Sequence, residues 1–253
     1  MDRPHPRDLG ADERHTLLVD GVPEAGGERE RLIEIVVRRD RLRIAPPAPD
    51  RTWEVLTVDW LTLRDPLGAF TPEKLRLPGQ DAPGLGIGEL VLELLYRVVD
   101  RLKLDGLLTV AEYFHNAVLY SRELPFADPW YEGQLEALKA LLFEREKLTF
   151  AQAAWAMHWG HVLDVDDSVV RWKGEAMVKP TEAELGAHLT SSEHREAAER
   201  ARRSLRYRLS RADFEDHWRR EKDALLAPPP RTRRAGDAWT EKSSEPIRRP
   251  RGP

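Results

Sequence analysis

Three glycines spaced two apart, Gly84, Gly86 and Gly88, stand directly ahead of a strongly apolar run in APGLGIGELVLELLYRVV, residues 82 to 99. That order of residue types suits one kind of chemistry. The first amide N–H groups of a helix have no internal partners, and the helix dipole places partial positive charge beside them. Glycines add no Cβ, so a phosphate can come close to the backbone. Gly84, Leu85, Gly86, Ile87 and Gly88 are therefore a candidate phosphate cradle. Two common nucleotide patterns do not fit it. The spacing is not G-x-G-x-x-G with an acidic residue about 20 positions on, and no Gly-Lys-Ser/Thr follows as a Walker A loop requires.

Acid–base candidates are few. Glu54 and Asp59 lie in an alternating strand pattern, and Glu112 and His115 follow a second strand. Glu112 is the first candidate for a general base, because it sits just past a strand end, where α/β sites gather their chemistry. His158 and His161, with Asp164, Asp166 and Asp167 behind them, are residue types that hold zinc or iron. Gly160, Trp155 and Trp159 point instead to a packed helix end followed by an acidic turn, and no metal is expected. A lone E-x-x-H at Glu112–His115 is half of what a di-iron bundle needs. There is no G-x-S-x-G elbow for a serine hydrolase. The chain has no cysteine, which excludes thiol nucleophiles, disulfides and thiolate metal sites.

The elements that must position these residues fall into three zones. RLIEIVVRRDRLRIAPP reads as two strands with a hairpin at Arg39-Asp40, and WEVLTVDWLTL as a central strand covered on both faces. EKLRLPG adds a short strand before the glycines. Ile87, Leu90, Val91, Leu94, Leu95, Val98, Val99 and Leu102 then form one apolar helical stripe, closed by Asp105-Gly106. LLTVAEYF begins as a buried strand, completing a βαβ unit. The third zone is mainly helical, with helices in EGQLEALKALLFEREKL and TFAQAAWAMHWGHV and a hairpin turning at Lys173-Gly174. Trp130 and Tyr131 read as a loop that anchors the sheet edge. A long charged helix or helix pair follows a Ser/Thr cap at Thr190 to Ser192. Arg195, Arg200, Arg202, Arg203, Arg206, Arg208 and Arg211 lie on it. They suit either a solvated mixed face, given Glu193, Glu196 and Glu199, or a surface for nucleic acid or an acidic partner protein.

Of 253 residues, 41% are hydrophobic and 33% charged, enough for one large or two small cores. A net charge of −4 gives no general attraction to nucleic acid. No apolar run approaches the roughly 18 residues of a membrane span. MDRPHPRDLGADERH has no apolar segment behind its charges and does not read as a secretory signal, so the cytoplasm is the expected compartment. From about Ala227 the chain carries seven Lys/Arg against three Asp/Glu and little apolar material, and reads as a disordered basic tail. The first dozen residues read as disordered as well.

With these residues in view, the glycine segment resembles the acyl-CoA-binding loop of GNAT-type N-acetyltransferases, whose pattern runs R/Q-x-x-G-x-G/A from a strand into a helix. Here it is Pro83-Gly84-Leu85-Gly86-Ile87-Gly88. GLLTV is similar to the strand that splays away in that family to admit pantetheine. HNAVLYSRELPF is similar to its ending, in which an Asn, an Ala, a Leu-Tyr pair and a Gly-Phe recur. The resemblance implies that the loop amides hold the pyrophosphate of acetyl-CoA or another acyl-CoA and that Asn116 contacts this cofactor. It also implies that Tyr120 protonates the departing thiolate, a task suited to a phenol with a pKa near 10. The acyl acceptor would be the amine of a small molecule or a protein. Pro83 replaces the usual Arg or Gln, Glu89 follows the loop, and residues 127 to 226 lie outside the resemblance. The expected fold is α/β (α+β), a mixed central sheet with a GNAT-like strand–loop–helix–strand unit. Its expected division is a disordered 1–15, an α/β domain 16–130, a mainly helical extension 131–226 with one hairpin, and the tail 227–253. The alternative is a non-catalytic interaction or regulatory protein on a degenerate acyltransferase scaffold, binding a partner through residues 195–211.

Overall fold

The computed structural model describes residues 14–21, 29–44 and 51–229. The expected disordered start and most of the basic tail lie outside the described residues. In chain order the strands and helices are β1 (Arg14–Gly21), β2 (Glu30–Leu42), β3 (Trp53–Leu63), α1 (Gly88–Leu102), β4 (Gly106–Val110) and α2 (Phe114–Tyr120). Then come α3 (Pro129–Lys139), a π-helical turn (Ala140–Arg145), α4 (Phe150–His158), β5 (Val162–Leu163) and β6 (Ala176–Pro180). The described chain ends with α5 (Ala183–Leu189), α6 (Ser192–Ser204), β7 (Arg208–Leu209), α7 (Arg211–Glu221) and a 3₁₀ turn (Lys222–Leu226). The fold is mixed α/β. No described helix is long and apolar enough to cross a membrane.

The main sheet has the order β1-β2-β3-β4-β6. β1, β2 and β3 form an antiparallel meander, β3 and β4 are parallel, and β6 runs antiparallel to β4. β3 is central, as its two apolar faces require. Leu56 and Val58 pack with Ile35 and Leu107 under Val91, Leu95 and Val99 of α1. Trp53, Val55, Leu108 and Val178 pack on the other face against Leu185 and Leu189 of α5. A third cluster, including Phe114, Leu135, Leu142 and Phe214, unites the helices and reaches the sheet through Met177 of β6.

The three buried α1 residues repeat every four positions. Their burial contributes roughly 5–9 kcal/mol as an upper figure, well above the ~1 kcal/mol of a helix cap. Packing therefore fixes where α1 lies, and its first turn needs no cap. The apolar stripe is narrower than its sequence period suggests, since Leu90 and Leu94 are exposed.

Several local expectations are corrected. No hairpin forms at Arg39-Asp40: β2 runs straight through, with Arg39 opposite Leu56 and Asp40 opposite Val55. EKLRLPG is not a strand and contributes only an isolated bridge between Thr71 and Lys74. α1 is closed by Lys103 in the left-handed conformation (φ 55°), not by Asp105-Gly106. Asp105 instead accepts the Glu54 N–H at 2.7 Å, and Gly106 opens β4. The chain does not fold back at Lys173-Gly174. It turns at Asp164, whose carboxylate accepts the N–H groups of Asp166 and Ser168, both at 2.9 Å. β6 then leaves for the main sheet. Trp130 and Tyr131 lie in the first turn of α3, begun by the Asp128 side chain accepting the Trp130 N–H.

The expected helix pair is present, with Ser191 capping α6. α3 and α6 cross closely at Gly133, where an added Cβ would collide with the Ala198 carbonyl oxygen.

Candidate functional site

The parallel strands pair only from Val55–Gly106 to Val58–Thr109. Asp59 is then an extra residue on β3, because Val37 faces Val58 and Val36 faces Trp60. Such a bulge bends its strand and ends regular pairing. The Asp59 carboxylate is held by Arg38 Nε at 3.1 Å and Arg14 Nε at 3.2 Å, across three strands. It serves the sheet and is not a free base. Beyond this point β3 continues to Leu63 beside β2 alone, while β4 ends at Val110. The two strands thus separate into a fork at their C-terminal ends, the side of parallel α/β sheets where ligands gather.

Residues 64–83 form an excursion that returns to the end of β3. It is closed by the Asp65 N–H donating to the Pro83 carbonyl at 2.7 Å and by the Arg64–Asp81 ion pair at 2.8 Å. Gly84 is thereby set beside Leu63, its missing Cβ 3.7 Å from the Leu63 carbonyl oxygen. The strand that leads into the glycines is thus β3, by way of this excursion. Gly86 has φ +74°, and Cβ atoms built on Gly86 and Gly88 would meet nothing within 4 Å. No side chain caps α1, and its first backbone bond is from the Val91 N–H to the Ile87 carbonyl at 3.1 Å. Gly84, Gly86 and Gly88 are exposed, with Leu85 and Ile87 partly buried between them. Glu89, in the first turn, is exposed.

A cleft of about 230 Å³ opens just past β4. Glu112 and Tyr113 enter it from the β4–α2 connection, His115 from the first turn of α2, His158 from α4, and Arg171 and Trp172 from the segment before β6. Pro78 of the excursion closes one side. Trp172 is fixed by its Nε1–H donating to the Ala111 carbonyl at 2.8 Å, and Trp155 ties α4 to the excursion through the Arg76 carbonyl at 2.7 Å. His115 is buried and stacks on Tyr113, with ring centroids 5.4 Å apart. Burial, with His158 nearby, lowers its pKa to about 4. His158 is lowered by burial and then by Arg171. Both imidazoles are therefore neutral at pH 7. Burial, then the charge of Glu112, raises the Tyr113 phenol. The charged groups of the cleft are Arg171 and Glu112, and neither makes an ion pair among the described residues.

Asn116 and Tyr120 lie four residues apart on α2, on one helix face. Tyr120 packs against the helical core, and burial raises its pKa, which keeps it protonated. The structure brings Glu112 and His115 into one cleft and leaves Gly84–Gly88 at the end of the neighbouring strand β3.

The histidine pair noted in the sequence is divided. His158 joins the cleft, whereas His161 faces His217, Nε2 to Nδ1 at 2.9 Å. Among the described residues no three His, Asp or Glu side chains are grouped to hold a metal. Of the seven arginines from Arg195 to Arg211, five are paired within the chain. Arg200 meets Glu196, Arg202 and Arg203 share Glu199, Arg208 meets Asp167, and Arg211 meets Glu146 and Glu215.

Sequence reasoning missed Arg171, Trp172, Tyr113 and Pro78 as site residues. Arg171-Trp172, a cation beside an aromatic, was the one local signal available. Its partners lie 59 or 60 positions away at Glu112. Comparison with protein-family models, with curated proteins and with solved structures found no match for this chain.

Proposed function

We propose that the chain is an acyl-CoA-dependent N-acyltransferase that moves an acetyl or other acyl group onto an amine. One observation carries the reading: β3 and β4 part at the Asp59 bulge, and the uncapped, glycine-lined start of α1 stands at the end of the longer strand. The order of antiparallel meander, parallel pair joined by a helix, and a strand that leaves its partner agrees with the GNAT resemblance. So does Phe126, which bridges to Met177 on the free side of β6.

The residues present fit a pyrophosphate. Cβ atoms would meet open space at Gly86 and Gly88, and the Pro83 carbonyl at the entry to the loop is occupied by the Asp65 N–H. The backbone of Gly84, Leu85, Gly86, Ile87 and Gly88 would hold it, with Asn116 on the remainder of the cofactor. Acyl-CoA supplies an activated acyl thioester. The chain's own work is to hold the acceptor in the cleft, remove the ammonium proton at Glu112 and provide a proton from the Tyr120 hydroxyl to the leaving sulfur. Neutral His115 and His158 add no positive charge that would repel the amine. The competing reading, a non-catalytic scaffold using the Arg195–Arg211 face, has less room because five of its arginines already hold carboxylates.

The test exploits the composition. With no cysteine in the chain, any thiol formed in a reaction mixture is released CoA. Acetyl-CoA should raise the melting temperature in a saturable way, and thiol should appear when an amine acceptor is present. Absence of any thermal shift at about 1 mM acetyl-CoA, a concentration that detects even millimolar affinity, overturns the proposal.

A further inference from the structure

The cleft past β4 presents one cation and one anion, Arg171 and Glu112, on otherwise uncharged walls. Neither is engaged by an ion pair among the described residues. Between them the lining is aromatic or apolar: Tyr113, Phe114, Met157 and Trp172. The volume, about 230 Å³, lies below the roughly 300–1,000 Å³ of sites for drug-sized ligands. A ligand that satisfies all of this is small, carries one positive and one negative group, and has a bulky apolar portion. We propose that the cleft binds a free α-amino acid with an aromatic or large aliphatic side chain, its carboxylate on Arg171 and its ammonium beside Glu112.

Arg171 is the specificity determinant in this assignment, since guanidinium matches a carboxylate through two parallel N–H donors. Trp172, the next residue, is anchored to the end of β4 by its indole N–H donating to the Ala111 carbonyl. His158 beside Arg171 offers a neutral ring nitrogen at the rim. That the ammonium is also the acyl acceptor rests on the acyltransferase reading above; occupancy of the cleft does not.

Calorimetric titration separates the two. L-phenylalanine and L-leucine are compared with phenylalaninamide, which lacks the carboxylate, and 3-phenylpropionate, which lacks the amine. The amino acids should bind, with the amide and the desamino acid each weaker by about tenfold, as expected for losing one charge-assisted contact. Arg171→Gln should lower phenylalanine to the affinity of the amide and leave the amide unchanged. Glu112→Gln should do the same relative to 3-phenylpropionate. Both residues are exposed, so the variants should melt with the parent protein. The inference is overturned if no amino acid of the set binds, if the four probes bind alike, or if Arg171→Gln weakens acid and amide equally. Amino-acid binding without any acetyl-CoA binding would remove the acyltransferase reading and keep the cleft assignment. Acetyl-CoA binding with no amino-acid binding would do the reverse.

Discussion

Replacing Gly88 by Asp separates the stability of α1 from its ligand chemistry. Gly88 is the first residue of the helix, it has no positive φ, and nothing stands within 4 Å of an added Cβ. The fold therefore accepts the side chain. Losing glycine's conformational freedom is worth roughly 0.5–1 kcal/mol, and a carboxylate at a helix start adds about 0.3–1 kcal/mol. The variant should be more stable by about 1–2 kcal/mol, a rise of roughly 2–8 °C in melting temperature for a body of this size. Toward a bound pyrophosphate the sign reverses. A carboxylate about 6 Å from each of two phosphate charges is repelled by ~0.7 kcal/mol per pair in water. The sum, about 1.4 kcal/mol, is a tenfold loss of CoA affinity. Scanning calorimetry gives the first quantity and titration calorimetry with CoA the second. A variant that melts higher and binds CoA as well as the parent refutes the placement of pyrophosphate at α1. A variant that melts lower refutes the account of the helix start.

Gly133→Ala should destabilise the protein by about 1–3 kcal/mol in urea titration, although Ala is the better helix former, because its Cβ would enter the α6 backbone. Equal or greater stability would show that the α3–α6 crossing has slack. Thr149→Ala removes the hydroxyl that accepts the Gln152 N–H, leaving only the Gln152 side chain accepting from the backbone of residue 149, and should cost about 1 kcal/mol, whereas Thr149→Asp should cost little. The buried His115 gives stability a pH dependence. Its folded pKa, about 4, lies below the unfolded 6.5, so the unfolded chain binds the proton first. Its contribution is complete above about pH 6.5, falls as pH drops toward about 4 and levels below, an order of 3 kcal/mol at most. His115→Gln should visibly flatten the stability profile between those pH values; an unchanged profile contradicts the assignment.

The sequence made the centre of the sheet legible because its signals are local. Two apolar faces in WEVLTVDWLTL require a central strand, and the four-residue repeat of Val91, Leu95 and Val99 requires a helix lying on it. The glycines were legible as an open helix start for the same reason. Arg39-Asp40 misled because charged pairs often mark turns. Here the chain stays extended, and Asp40 is paired with Arg38 at 2.6 Å. β6 had no local mark as a sheet member. AMVKP becomes one only because β4 offers it an edge far away in sequence. The cleft was half legible. Glu112 and His115 follow a strand end, but Arg171 and His158 arrive from segments whose positions are set by tertiary packing of Trp155 and Trp172.

The most direct test of the central claim is amide-resolved NMR of Gly84, Leu85, Gly86, Ile87 and Gly88 during titration with acetyl-CoA. The account predicts saturable shifts of these five N–H resonances and of Glu89 and Leu90 in the first turn of α1. Saturable binding that leaves them unmoved would contradict it.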